Sequence, residues 1–172
     1  MRRALPVLLM VVLLGGTAFA WTTVVRDFQR FAEIEGTVFK VRDCAVPNPV
    51  TTPCFYGAFA FAIALVWSAV AYQADADRAR LHYRRLSWLL IAGTLFAWSV
   101  NGWELWKFVT RDASGPIVGC SGQLVSNPYT TPCFIGASIF LLSLIVGLLA
   151  RRAAAPVPPG PSAATPSAER PA

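Results

Sequence analysis

Charged residues fall in clusters along this chain, and between the clusters lie four stretches without a charge: Ala4 to Val25, Cys44 to Ala74, Leu86 to Trp103 and Ala113 to Ala150. Each holds about 17 to 20 strongly apolar residues, which at a rise of about 1.5 Å per residue covers a hydrocarbon core of about 30 Å. The pattern predicts four membrane-spanning helices and no soluble domain of any size.

The stretches are related in pairs. Gly16-Thr17-Ala18-Phe19-Ala20-Trp21-Thr22 recurs as Gly93-Thr94-Leu95-Phe96-Ala97-Trp98-Ser99, an offset of 77 residues. Asn48-Pro49-Val50-Thr51-Thr52-Pro53-Cys54-Phe55-Tyr56-Gly57-Ala58, with Phe61, matches Asn127-Pro128-Tyr129-Thr130-Thr131-Pro132-Cys133-Phe134-Ile135-Gly136-Ala137, with Phe140, at an offset of 79. Asp27 corresponds to Glu104 and Phe31 to Phe108. Two copies of a span, outer loop, span unit explain this, the second longer by two residues in its loop. Because each copy holds an even number of spans, both enter the membrane from one side, which makes a parallel repeat about an axis along the membrane normal. The expected fold is all-α, a four-helix bundle of two tandem two-helix repeats. It divides into repeat 1 (1–74), a basic inner loop (75–85), repeat 2 (86–152) and an Ala/Pro/Ser-rich tail (153–172) whose composition predicts a disordered extension.

The repeated motif reads as a helix start. Thr52 and Thr131 suit the capping position and Pro53 and Pro132 the first helical residue, where no amide donor is needed. Asn48, Pro49, Asn127 and Pro128 belong to the turns before it. Gly57 and Gly136 place small residues one turn into the spans, where helices are expected to approach closely.

Only 14% of the 172 residues are charged and 55% are hydrophobic, against roughly 25% charged in a soluble domain. The net charge of +6 is a matter of position. Arg2 and Arg3, then Arg78, Arg80, Arg84 and Arg85, then Arg151 and Arg152 all fall on one side of the predicted spans. The positive-inside rule makes that side the cytoplasm, so both termini lie inside a cell inner (plasma) membrane, with the loops Arg26 to Pro53 and Lys107 to Pro132 outside. No basic patch with interleaved aromatics points to nucleic acid. The first twenty residues also fit a secretory signal ending at Ala18-Phe19-Ala20, but their recurrence inside the chain favours a helix that is retained.

Cys44, Cys54, Cys120 and Cys133 all fall on the outer side, an oxidising compartment where an even number fits disulfides. Of the three pairings, Cys44 with Cys54 and Cys120 with Cys133 respect the duplication and staple each loop to its following helix. The alternative is redox chemistry: Cys54 and Cys133 in the first turn of a helix gain thiolate stabilisation from its dipole. Four spans with two outer cysteine pairs are similar in outline to membrane oxidoreductases that pass electrons between protein thiols and a quinone. That likeness implies a quinone cofactor and outer cysteines in the reacting roles. Those families use a Cys-x-x-Cys pair, whereas the intervals here are ten and thirteen residues. The cysteine spacing matches no zinc pattern, and no histidine lies near it.

At the outer boundary, Glu104 with Lys107, and Arg26, Asp27 and Arg30, are spaced to pair along a helix face. Trp21, Trp98, Trp103 and Trp106 lie at one level, as an aromatic belt does, and a quinone or lipid ring would find the same surface. Asn101 lies near the outer part of span three, where the first copy has Val24, and His82 sits in the basic loop without an evident partner. Trp21, Trp98, Asn101, Trp103 and Glu104 are the candidate ligand or interface residues. No phosphate loop, nucleophile elbow or metal-binding helix motif is present, and no cofactor is required. The leading expectation is a small non-enzymatic membrane protein with two stapled outer loops. Its partners would be the lipid bilayer together with a membrane protein, a second copy of itself, a lipid or an apolar ligand. A thiol-disulfide oxidoreductase is the first alternative. A transporter or channel component is the second, and it would need to oligomerise to enclose a pathway.

Overall fold

The computed structural model describes residues 4–37, 47–110, 117–118, 124–125 and 127–153. Four helices make up nearly all of it: α1 (Ala4–Glu35), α2 (Pro53–Gln73), α3 (Ala76–Thr110) and α4 (Pro132–Ala153). Two strands of two residues each, β1 (Ile117–Val118) and β2 (Leu124–Val125), pair antiparallel between α3 and α4.

Three of the helices, α1, α2 and α4, are long and apolar enough to cross a membrane. The segment from Leu86 to Trp103 lies within α3 and falls short of them. Ser87, Trp88, Thr94, Trp98, Ser99, Asn101 and Trp103 dilute its apolar run.

The helices are longer than the hydrophobic pattern alone marks. α1 continues ten residues past Val25 to Glu35, and α3 continues past Trp103 to Thr110, so part of each expected outer loop is helical. The inner loop is also shorter than expected: only Ala74 and Asp75 separate α2 from α3, and residues 76–85 form the first turns of α3. Arg, Leu and Ala are strong helix formers, and Asp77 stands in the first turn where the helix dipole favours a negative charge. Basic character had marked this segment as a loop, yet nothing in it breaks a helix.

α1 lies beside α2 and α4, and α3 beside the same two, which makes a four-membered ring in which α2 and α4 meet across the diagonal. Side-chain contacts fix the directions. Trp21 meets Phe59 and Phe28 meets Phe55, so α1 and α2 run antiparallel, and Gly93 faces Phe140 while Asn101 reaches Cys133, so α3 and α4 also run antiparallel.

Along the diagonal, Phe61 and Phe140 stack edge to face with centroids 4.7 Å apart. The helices make room for both rings in the same manner. A Cβ on Gly16 would stand 2.4 Å from Cε1 of Phe61, and one on Gly93 would stand 2.5 Å from Cε1 of Phe140. From this layer toward the Ala74 end the interior is filled by Leu9, Leu13, Ala64, Leu86, Leu90, Val146 and Ala150. Inside that end, Trp67 Nε1 donates to Nδ1 of His82 at 3.2 Å, which gives the lone histidine a partner on α2.

Candidate functional site

On the other side of the phenylalanine layer the packing opens. A cavity of about 530 Å³ lies between Phe61 and Phe140 as its floor and Cys54 and Cys133 at its opposite end. Its walls include Phe19 and Phe96, Ala20 and Ala97, and Gly57 and Gly136, which are equivalent positions of the two sequence copies. No Asp, Glu, Lys, Arg or His lines it; Thr23, Asn101, Tyr56 and the two cysteines are its polar members. This volume falls within the roughly 300–1,000 Å³ of small-molecule sites, which are commonly apolar with a few placed polar groups.

Gly57 and Gly136 have a different role from the one their spacing suggests. Nothing lies within 4 Å of the position a Cβ would take on either, so they widen the cavity. The glycines that let helices close are Gly16, Gly93 and Gly147, the last with Leu90 Cδ1 at 2.9 Å from a would-be Cβ. Ala58 and Ala137, next to the cavity glycines, are buried.

The cysteine end of the cavity is built by the repeated motif. Asn48 Oδ1 accepts from the amide of Val50 at 3.1 Å, and Asn127 Oδ1 from that of Tyr129 at 2.9 Å. Each asparagine opens a short 3-10 turn, Pro49–Thr51 and Pro128–Thr130, which ends at the following threonine. Pro53 and Pro132 then start α2 and α4 as their fixed φ favours. The threonines divide. Thr131 Oγ1 accepts from the amide of Phe134 at 3.3 Å, as a cap should. Thr52 makes no side-chain cap, although its hydroxyl donates to the Pro49 carbonyl at 2.7 Å just as that of Thr131 donates to the Pro128 carbonyl at 2.8 Å.

Because α2 and α4 start at the same level and run the same way, Cys54 and Cys133 converge. Their Sγ atoms lie 2.9 Å apart, close to contact but far beyond the length of about 2.05 Å of a disulfide. Among the described residues, the sulfur nearest Cys54 thus belongs to the other copy. Cys44 and Cys120 lie outside the described residues.

Asn101 Nδ2 donates to the Ala97 carbonyl at 2.8 Å and to the Cys133 carbonyl at 3.2 Å. It thereby holds α3 against the first turn of α4. Glu104 forms the expected pair with Lys107 at 2.7 Å. Asp27, its counterpart, has the Arg30 charge near it but makes no hydrogen bond to Arg26 or Arg30. It is only 6% exposed, and neither carboxylate oxygen has a hydrogen-bond partner among the described residues. The difference arises because the bundle closes over α1 at this level, while Glu104 remains half-buried. Spacing alone gives Asp27 and Glu104 the same role, so the sequence held no signal for this buried acid.

Trp103 and Trp106 are exposed and lie against each other with centroids 5.2 Å apart. Trp21 and Trp98 are engaged by Phe59 and Phe134, and none of the four lines the cavity. None of the family models, curated proteins or solved structures compared with the chain matches it.

Proposed function

We propose that the chain is a small four-span membrane protein, a duplicated hairpin whose bundle accommodates an acyl or isoprenoid chain from the surrounding lipid. The observation that carries this reading is the uncharged cavity between the Phe61–Phe140 floor and the paired cysteines. A headgroup would require a charged side chain in the wall, and the wall has none, so the occupant is the hydrocarbon portion.

The membrane setting is supported by the outward faces. Val11 and Leu14 on α1, Val66 on α2, Leu95 on α3 and Ile145 on α4 are all exposed, and such a belt is costly in water. α3 shares that belt, and its ends each connect to a helix that itself suits a membrane, so we count it as the remaining span. The duplication is supported by equivalent geometry: Gly16 against Phe61 and Gly93 against Phe140, and the paired Asn48 and Asn127 turns. With the arginines of the Ala74 end on the cytoplasmic side, the cysteine end then faces the oxidising side.

The test is chemical extraction of the purified chain. Native protein should release an apolar molecule in stoichiometric amount, and Gly57→Leu with Gly136→Leu should release much less while keeping the same helical content. Equal release from the filled variant would overturn the proposal.

A further inference from the structure

α3 and α4 run side by side in opposite directions, so their contacts set which residues share a level. Asn101 reaches Cys133, Trp98 meets Phe134, and a Cβ on Gly147 would touch Leu90. Each step toward the start of α3 is a step toward the end of α4, which brings Arg84 and Arg85 level with Arg151 and Arg152 in the last turn of α4. Helical phase then decides which of them meet. Arg152 follows Phe134 by 18 residues, five full turns, and returns to the face that Phe134 presents to α3. Arg84 precedes Trp98 by 14 residues, about 40° short of four turns, and so stays on the α4 side of α3. All four arginines are exposed, and none pairs with a carboxylate among the described residues. α4 holds no acid, and α3 holds none between Asp77 and Glu104.

The first copy has no such cluster. At offsets of 77 and 79 its equivalents are Val7, Leu8, Tyr72 and Gln73, all uncharged. Orienting the spans requires basic residues in the inner segments, but not at one level of two neighbouring helices. Toward the membrane centre from the cluster the surface turns apolar. Trp88 is 66% exposed one turn from Arg84, and the exposed Ile145 and Leu141 lie on the same face of α4 as Arg152.

We infer that the Ala74 end of the α3–α4 seam binds an anionic phospholipid, its phosphate held by Arg84 and Arg152 with Arg85 and Arg151 beside them. A guanidinium presents parallel N–H donors that match two phosphate oxygens, and two such groups from different helices clamp one phosphate. Basic pockets between spans on the cytoplasmic side suit anionic headgroups for this reason. A zwitterionic headgroup would bring its own cation against four guanidiniums that have no counter-charge, so the lipid is one with a net negative charge. A soluble anion would use the arginines and leave Trp88 and Ile145 bare, whereas a phospholipid covers the cluster with its phosphate and the apolar strip with an acyl chain. The inference rests on the four-span reading, which puts this end in the inner leaflet, and not on what fills the cavity.

The full chain is reconstituted in nanodiscs of phosphatidylcholine with a minor share of phosphatidylglycerol, released into detergent and weighed intact by native mass spectrometry. The native protein should retain phosphatidylglycerol in preference to phosphatidylcholine. Arg84→Gln with Arg152→Gln should lower the retained phosphatidylglycerol by about tenfold at unchanged helical content. Arg78 stands 20 residues from Trp98, about 200° round α3 and so away from the seam, and Arg78→Gln should leave retention as it was. Inorganic phosphate, added at matched ionic strength, should not displace the lipid. Native retention in the double variant, an equal fall in Arg78→Gln, or displacement by inorganic phosphate would each overturn the inference. Gly57→Leu with Gly136→Leu should empty the cavity yet keep this phospholipid in place, so the two proposals fail separately.

Discussion

The side-chain amide of Asn101 donates to the main-chain carbonyl of Cys133 at 3.2 Å, and by this bond α3 holds the first turn of α4 in place. The first copy has Val24 at the equivalent position, buried and with no such bond to offer. The halves differ in which position puts a polar group in the cavity wall: Asn101 in the second, Thr23 in the first.

Asn101→Val, which copies the first half into the second, should lower stability by about 1 kcal/mol, within the range of interhelical hydrogen bonds in membranes. Thermal unfolding in detergent measures it. An unchanged midpoint would mean that the bond contributes nothing to holding α4.

The glycines should separate into two classes. Gly16→Ala and Gly93→Ala drive a methyl into the rings of Phe61 and Phe140 and should each cost about 1–3 kcal/mol as the aromatic layer shifts. Gly57→Ala and Gly136→Ala meet nothing within 4 Å and should be neutral, or gain up to about 1 kcal/mol from helix propensity. Unfolding midpoints of the four variants compare them directly.

These classes show where the sequence was legible and where it was not. The duplicated motif gave the helix starts at Pro53 and Pro132, because proline at a first helical residue is a local matter. Close approach depends on what lies opposite, and Gly57 resembles Gly16 in sequence although only Gly16 faces a phenylalanine. In the same way, the 2.9 Å approach of Cys54 to Cys133 arises from two parallel helices starting at one level, which no spacing within a copy reveals. The burial of Asp27 was hidden for the same reason, since its neighbours along the helix suggest a surface ion pair.

At the other end of the bundle, the Tyr83 hydroxyl is buried without a hydrogen-bond partner among the described residues. Tyr83→Phe removes that group and keeps the ring, so stability should rise by about 1 kcal/mol. A fall in the midpoint would show that the hydroxyl is satisfied by water.

α3 is the one helix of the four not apolar enough by itself to mark a span, so the proposed four-span arrangement is tested by locating it through labelling. In a background with all four cysteines replaced by serine, Asp75→Cys should react with an impermeant maleimide only from the cytoplasmic side. Thr110→Cys should react only from the outside. Labelling of both from one side would remove α3 from the membrane.

The account rests above all on Cys54 and Cys133 meeting across the bundle. In a Cys44→Ser, Cys120→Ser variant with a protease site placed between Ala74 and Asp75, mild oxidation followed by cleavage measures that approach. The two halves should stay joined until a reductant is added; halves that separate without reductant, after oxidation has gone to completion, would contradict the convergence on which the site depends.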